Sequence, residues 1–145
     1  MIHIDAGVVI KGNSTQISQL FINLIQNAHD ACSSRQSSDY VPAITIEAAV
    51  QEEQVSVTIE DTGIGISEQI IDKIFDPFFT TKDVGKGMGL GLSICHAITK
   101  SHAGHLHVRS IAGKGTKVIV TLPFVAKPGS EKKPEEMKEP YEASI

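Results

Sequence analysis

Apolar side chains recur along this chain with two different spacings, one typical of helices and one typical of strands. In residues 13–33 and 90–101 they return every three or four positions, as on one face of an amphipathic helix. In residues 44–60 and 105–122 they occupy every second position, with a charged or glycine-containing turn in the middle of each stretch. The pattern predicts two long helices and two antiparallel hairpins. The apolar face of the first helix comprises Ile17, Leu20, Phe21, Leu24, Ala28, Ala31 and Cys32.

Shorter elements complete the predicted domain. Residues 2–10 are predicted as a strand, and Asn13 or Ser14 as the N-cap of the first helix. Residues 68–74 are predicted as a short helix, and Gly104 as the end of the second long helix.

The composition changes after residue 126, where charged residues and prolines replace the apolar pattern. Such a segment buries too little apolar area to offset the entropy lost on ordering. We therefore predict one domain over residues 1–126 and a flexible tail over residues 127–145.

Charge and cysteine usage narrow the classes of function. The net charge of −4 and the absence of a basic stripe argue against nucleic acid as the main partner. Cys32 and Cys95 lie in apolar helical patterns without metal-ligand spacing, which favours buried, reduced thiols over a bridge or a metal site. No apolar run approaches the length of a membrane span. We expect a cytoplasmic setting without direct membrane contact, which is compatible with a membrane-anchored parent protein.

Three short polar side chains lie on the flank of the first helix. At about 100° per residue, Asn23, Asn27 and Asp30 fall within about 60° of one another. They form either a solvated polar stripe or a row of oxygen ligands facing a cleft. Mg²⁺ prefers such oxygens and is usually held by one or two protein groups together with substrate phosphates.

A carboxylate followed by two glycines ends the second strand of the first hairpin. Asp61 precedes Gly63 and Gly65, so an acceptor stands where the backbone can approach a flat ligand. The alternative interpretation is an ordinary turn closed by the Asp61 side chain.

A second glycine-rich segment precedes the second long helix. Glycine occupies positions 85, 87, 89 and 91, and Lys82 and Lys86 lie beside them. Free N–H groups and the positive end of a helix dipole make such a loop a natural phosphate site.

In this order the motifs resemble those of the catalytic ATP-binding domain of bacterial sensor histidine kinases, within the ATPase superfamily with the Bergerat fold. The resemblance covers about residues 9–124 and includes the asparagine box, the first glycine box, the phenylalanine box, the second glycine box and the closing glycine box. These boxes correspond to residues 23–31, 61–65, 75–82, 87–92 and 113–116. The fold it implies is a two-layer α/β sandwich: a mixed, largely antiparallel sheet of about five strands, covered on one face by three helices, with residues 75–88 as a flexible lid over ATP.

The resemblance also implies roles for individual residues. Asp61 would accept a hydrogen bond from the adenine amino group, Asn27 would ligate Mg²⁺, and Asn23 and Lys82 would join Asn27 as catalytic residues. The full set of implied nucleotide-binding residues is Asn27, Asp30, Asp61, Gly63, Gly65, Ile66, Phe78, Thr80, Thr81, Lys82, Lys86, Gly87, Met88, Gly89, Leu90, Gly91, Leu92 and Thr116.

These kinases phosphorylate a histidine on a separate helical dimerisation domain, and none of the 6 histidines here lies in a His-Glu-x-x-x-Pro-like setting. The partners implied are ATP or ADP, this phosphoacceptor domain and a response regulator. We expect the isolated chain to be a monomer.

Several alternatives remain at this point. Hydrolysing relatives and anti-sigma-type serine kinases of the same superfamily carry a Glu base four residues before the metal-binding Asn. Here that position is Asn23, an amide that cannot take a proton. A nucleotide-binding scaffold without transfer activity stays possible. A viral-type aspartic protease would leave the asparagines and the glycine-rich loop unexplained, and neither a P-loop nor a Rossmann fingerprint fits the glycine spacing.

Overall fold

The computed structural model describes residues 8–36, 39–79 and 90–126. Two helices and six strands lie in these ranges, together with one 3-10 turn at Ile71–Lys73 between β3 and α2. In chain order the helices and strands are β1 (Val8–Val9), α1 (Ser14–Ser33), β2 (Ile44–Gln51), β3 (Gln54–Asp61), α2 (Gly91–Ser101), β4 (His105–Ile111), β5 (Gly115–Pro123) and β6 (Val125–Ala126).

The first helix begins and ends where the sequence predicts. Asn13 is its N-cap, and the Asn13 side-chain oxygen accepts a hydrogen bond from the Gln16 N–H at 3.1 Å. This contact satisfies one of the free donors of the first turn. The buried residues of α1 are Leu20, Leu24, Ala28 and Cys32, all members of the predicted apolar face.

The main sheet has the strand order β2-β3-β5-β4, and every pairing in it is antiparallel. Both predicted hairpins are present: Gln51 pairs with Gln54 in the first, and Ile111 with Gly115 in the second. The predicted α/β sandwich class is confirmed. In the described residues the sheet has four strands, and the short strands β1 and β6 form a separate antiparallel ribbon.

The core lies between one face of this sheet and the two helices. Burying a large aliphatic side chain there contributes about 1.5–3 kcal/mol, so this contact holds the two layers together. The buried cluster comprises Leu20, Leu24, Ala28, Val55, Ile59, Cys95, Ile98, Val120 and Leu122. The opposite face of the sheet carries polar residues such as Glu60, whose carboxylate pairs with the Lys117 ammonium at 2.8 Å.

The predicted short helix before the phenylalanine-rich segment is a 3-10 turn, Ile71–Lys73. The Lys73 N–H donates to Ile70 O at 2.9 Å, and the Asp76 N–H donates to Lys73 O at 3.0 Å. Each bond spans three residues rather than four. Pro77 disfavours helical backbone at the preceding residue, so the turns cannot extend into an α-helix. The described residues therefore contain two of the three helices implied by the family resemblance.

The end of α2 differs in detail from the prediction. The left-handed residue after the helix is Ala103, with φ of 55°, and not Gly104. Gly104 is needed for a different reason: a Cβ on it would lie 2.4 Å from the Thr121 carbonyl oxygen. This glycine lets the chain pass close to β5 as it turns into β4.

The predicted burial of the cysteines and exposure of two histidines are both confirmed. Cys32 and Cys95 are both buried and free, and His105 and His107 are exposed, as predicted. No helix in the ranges 8–36, 39–79 and 90–126 is both long and apolar enough to cross a membrane. The cytoplasmic setting stays a prediction. Most of the predicted strand over residues 2–10 and the whole predicted tail lie outside the described residues.

Candidate nucleotide-binding site

Asp61 is the last residue of β3 and is one of the few buried charged side chains in the described part of the chain, with 6% of its surface exposed. Its Oδ1 accepts a hydrogen bond from the Gly63 N–H at 2.8 Å, and the backbone N–H of Thr116, its partner in the strand register, also favours the charged carboxylate. Burial raises the pKa of Asp61; the two N–H groups oppose this rise, and the neighbouring Glu60 charge adds to it. A buried acceptor of this kind favours a ligand that can donate to it.

The loop after Asp61 is held by the elements on both sides. The Thr62 N–H donates to Ala43 O and the Ile64 N–H donates to Ala31 O, each at 3.1 Å. A Cβ on Gly63 would lie 2.5 Å from the Ala31 carbonyl carbon, so only glycine fits against the end of α1. The loop backbone thus has a fixed position relative to the first helix.

Gly65 and Ile66 carry the loop toward the second hairpin. Gly65 has φ of 68°, and a Cβ on it would lie 2.1 Å from Ile111 O. The Ile66 N–H donates to the Ser110 Oγ at 2.8 Å. Both glycines predicted to line the base are therefore required by close backbone approach.

Ser110 is a site residue that the sequence pattern did not reveal. Its hydroxyl donates to Gly115 O at 2.9 Å, so its oxygen is free to accept from Ile66 N–H and from the Thr116 hydroxyl, which lies 2.8 Å away. The predicted Thr116 side chain is thereby oriented on the inner face of β5, beside Asp61 in the strand register. In the sequence, Ser110 is one more inward-facing position of a strand, and its role depends on contacts with Gly115 and Ile66.

The predicted polar ladder lies on the half-buried flank of α1, and its three members have different neighbours. A methyl group placed on Gly91, the first residue of α2, would sit 3.8 Å from Asn27 Nδ2 and 3.9 Å from Asn27 Oδ1. Asn27 therefore faces the N-terminus of α2, where backbone N–H groups favour anions. One turn farther along α1, the Asp30 carboxylate accepts a hydrogen bond from Gln26 Nε2 at 2.8 Å and lies 3.4 Å from His29 Nδ1.

Asn23 faces α2 through a different contact. Its side chain lies near the fully buried thiol of Cys95, and that thiol donates to Leu20 O with an S···O distance of 3.6 Å. Burial raises the pKa of Cys95 to about 11, and the Asn23 contact partly opposes that rise. Asn23 and Asn27, one turn apart on α1, thus both lie on the side of α1 that faces α2.

Three of the remaining predicted nucleotide-binding residues lie within the described part of the chain. Leu90 is the N-cap of α2, and Leu92 packs against the core. Phe78 is 75% exposed and has φ of 67°, a backbone conformation that is rare for a bulky residue. The other predicted residues, Thr80, Thr81, Lys82, Lys86, Gly87, Met88 and Gly89, lie outside the described residues.

We call the space bounded by α1, the loop after Asp61 and the start of α2 the cleft, and its two ends differ chemically. One end holds the buried acceptor Asp61 and the close-packed glycine loop, which suit a flat base that carries a donor. The other end holds Asn27, Asp30 and the N-terminus of α2, which suit a cation and phosphates. The first helix connects the two ends, because Ala31 contacts the loop and Asn27 faces α2.

Comparison with known proteins agrees with this geometry. Residues 12–126 match the family described as histidine kinase-, DNA gyrase B-, and HSP90-like ATPase. Sporulation kinase A of Bacillus subtilis is 39% identical over 80% of this chain and 18% of its own length. Sensor kinase CckA of Brucella abortus is 37% identical over 79% of this chain and 13% of its own length. The chain thus spans less than a fifth of either relative.

Solved structures show the same fold. The catalytic domain of histidine kinase ThkA, in a nucleotide-free form, superimposes with a TM-score of 0.63 at 35% identity and covers 77% of this chain and 69% of its own. The mycobacterial sensor histidine kinase MprB superimposes with a TM-score of 0.66 at 23% identity, over 80% of this chain and 75% of its own. The chain belongs to the family of histidine kinase-, DNA gyrase B- and HSP90-like ATPases, as a catalytic ATP-binding domain of the sensor histidine kinase type.

Proposed function

We propose that this chain binds Mg-ATP in the cleft between α1, the loop after Asp61 and the start of α2. From there it transfers the γ-phosphate to a histidine on a separate helical dimerisation and phosphoacceptor domain, in two-component signal transduction. The observation that carries this proposal is the buried Asp61 carboxylate at the end of β3, fixed by the Gly63 N–H at 2.8 Å. A buried carboxylate is costly to desolvate unless it is well paired, so a ligand donor is the expected further partner.

The adenine would bind at the Asp61 end. Its amino group would donate to Asp61, and the base would lie along the backbone of Gly63, Gly65 and Ile66, with Thr116 beside it. A hydrogen bond to a charged acceptor contributes about 1.5–3 kcal/mol, which is enough to select adenine over guanine.

The phosphates would bind at the opposite end. The amide oxygen of Asn27 fits a magnesium ligand because Mg²⁺ prefers oxygen and takes few protein groups, and Asp30 would support it one turn away. When bound, this ion would neutralise charge on the phosphates. The backbone at Gly87, Gly89 and Gly91 would follow the phosphates, and Lys82 and Lys86 would reach their oxygens; Thr80, Thr81, Met88, Leu90, Leu92 and Phe78 would complete the lid and its margins.

Histidine is favoured as the acceptor over water or serine by the residue at position 23. Phosphoryl transfer relies mainly on positioning and charge neutralisation, but water and hydroxyl acceptors need a base. Asn23 is an amide, which cannot take a proton from the acceptor, and its side chain lies near the Cys95 thiol. An imidazole already presents a nucleophilic nitrogen, so this arrangement suits it.

The proposal has consequences for partners. The phosphoacceptor domain and a response regulator would act with this chain, the catalytic domain would end near residue 126, and the chain alone would be a monomer. The lid would close when the acceptor helix docks, because a glycine-rich segment can change its backbone conformation at low cost.

A transfer assay tests the proposal. The chain is incubated with γ-labelled ATP, magnesium and a helical phosphoacceptor domain of a sensor kinase, and acid-labile, base-stable label on the acceptor is measured. We expect label on histidine that disappears with Asn27→Ala. Phosphate release at the same rate with and without the acceptor would instead support an ATPase, and tight nucleotide binding with neither product would support a scaffold.

A further inference from the structure

Arg35 lies two residues beyond the end of α1 and belongs to none of the sequence motifs described above. Its guanidinium Nη1 donates to the Thr62 carbonyl oxygen at 2.7 Å and lies 3.4 Å from the Gly63 carbonyl oxygen. The side chain is partly buried at these contacts. A charged donor thus holds two consecutive carbonyl groups of the loop that follows Asp61.

Tyr40 supports this arginine. The Arg35 guanidinium carbon lies 4.6 Å from the centre of the Tyr40 ring, within the range of a cation–π contact. The Tyr40 hydroxyl lies 3.3 Å from the Thr62 Oγ1. The Arg35–Tyr40 pair therefore contacts both the backbone and the side chain of Thr62. Lysine cannot reproduce the stacking contact on Tyr40, because it lacks the planar guanidinium.

The position of the Thr62–Gly63 segment decides where the Asp61 carboxylate faces. The Gly63 N–H donates to Asp61 Oδ1 at 2.8 Å, so a rotation of this segment would move a donor away from the acid. Arg35 holds the same segment by its carbonyl oxygens, on the side opposite to that N–H. The charged contact outside the cleft and the carboxylate inside it are thus linked through the intervening peptide groups.

We propose that Arg35, stacked on Tyr40, is a positioning residue for base recognition: it fixes the Thr62–Gly63 segment so that Asp61 presents its carboxylate to adenine. This inference rests on the proposed function, because it concerns the same nucleotide site. Arg35 itself does not touch the nucleotide. Since it lies two residues after α1, the helix that carries Asn27, it also links the base end of the cleft to the phosphate end.

The test is a calorimetric titration of the folded chain with Mg-ADP and with Mg-GDP. The variants are Arg35→Met, Arg35→Lys and Tyr40→Leu, and the matched control is Arg109→Met. Arg109 is exposed on β4, and its Nε reaches only His107, at 3.3 Å, in the described contacts. Its replacement removes the same charge from the protein without touching the loop. Thermal unfolding of each variant is measured in parallel.

We expect Arg35→Met to weaken ADP binding on the order of tenfold, the scale of one charge-assisted hydrogen bond, and to leave GDP binding nearly unchanged. Selectivity for adenine then falls. Arg35→Lys keeps the charge but loses the planar group that stacks on Tyr40, so Arg35→Lys and Tyr40→Leu should each lose part of the selectivity. Arg109→Met should bind both nucleotides as the wild type does.

The outcomes separate this inference from the proposed function. If the wild type binds no ADP, the proposed function fails. If the wild type binds ADP and Arg35→Met keeps the full preference for ADP over GDP, the positioning role is wrong. Equal losses for both nucleotides that track a lower unfolding temperature would show that Arg35 stabilises the fold only, and they would also overturn the inference. If Arg35→Met fails to fold, the preference of Arg35→Lys for ADP over GDP decides whether Arg35 positions the loop.

Discussion

The contact between Gly63 and the end of α1 predicts a specific cost for adding one methyl group. A Cβ at Gly63 would lie 2.5 Å from the Ala31 carbonyl carbon, 2.7 Å from its Cβ and 2.7 Å from its carbonyl oxygen. Two of these atoms belong to helix backbone, so they cannot rotate away, and either the loop or the end of α1 must shift. Gly63→Ala therefore tests whether the loop and the helix are as closely packed as described.

The size of the effect follows from these contacts. Overpacking costs about 1–3 kcal/mol, and a shifted loop also weakens the Ile64 N–H bond to Ala31 O, which contributes about 0.5–1.5 kcal/mol. We expect Gly63→Ala to lower the free energy of unfolding by about 2–4 kcal/mol. Because the Gly63 N–H orients Asp61, ADP affinity should fall as well.

Gly113→Ala is the matched control. Gly113 has φ of 76°, but a Cβ there meets no atom within 4 Å, so the cost is limited to left-handed strain of about 1–2 kcal/mol. Urea unfolding followed by circular dichroism gives both values, and a calorimetric titration gives both affinities. If Gly63→Ala is no less stable than Gly113→Ala and binds ADP equally well, the close-packing argument is wrong.

Three further predictions concern two residues of the cleft and one residue of the core beside it. The folded-state pKa of Asp61 is raised above its ordinary value of 3.8, so Asp61 stabilises the nucleotide-free fold fully below pH 3.8, and this contribution is lost as pH rises through the raised pKa. ADP affinity should instead increase with pH over the same range, because the charged carboxylate is the better acceptor. Both pH dependences should vanish in Asp61→Asn when unfolding and ADP affinity are measured against pH. Gly91→Ala should leave the free energy of unfolding unchanged or higher, because alanine is favoured in helices and the nearest atom to its methyl group is Asn27 Nδ2 at 3.8 Å. The same methyl group should weaken Mg-ADP binding, because it crowds the phosphate end. An unchanged ADP affinity would show that Gly91 is not part of the site. Cys95 is fully buried, and burial raises its pKa to about 11, so a thiol reagent at neutral pH should label it only at the rate of unfolding. Rapid labelling of Cys95 in the folded chain would contradict this burial.

Local patterns in the sequence were enough to predict the main elements. The apolar face of α1 and its Asn13 cap depend on residues within a few positions of each other, and the alternation in both hairpins fixes which side of each strand faces the helices. Asp61 could be recognised because a carboxylate and two glycines adjoin in the chain. Each of these predictions depends on residues that are close in the sequence, and each is present in the folded structure.

The features that could not be predicted depend on contacts between distant parts of the chain. Ser110 orients Ile66 across 44 positions, and Arg35 reaches Thr62 across 27. Nothing in their immediate neighbours marks either residue. The same explanation applies to Gly104, which is required by the approach of Thr121 rather than by its own backbone conformation.

One calorimetric titration shows whether a nucleotide binds with its adenine against Asp61. Mg-ADP is titrated into the wild type, into Asp61→Asn, and into Glu60→Gln as a matched control. Glu60 lies next to Asp61 but pairs with Lys117 on the outer face of the sheet, so its replacement removes the same charge outside the cleft. A lost hydrogen bond to a charged acceptor should weaken binding by Asp61→Asn about 10- to 150-fold, whereas Glu60→Gln should bind as the wild type does. Equal affinity in all three proteins, or no binding by the folded wild type, would contradict this placement of the adenine.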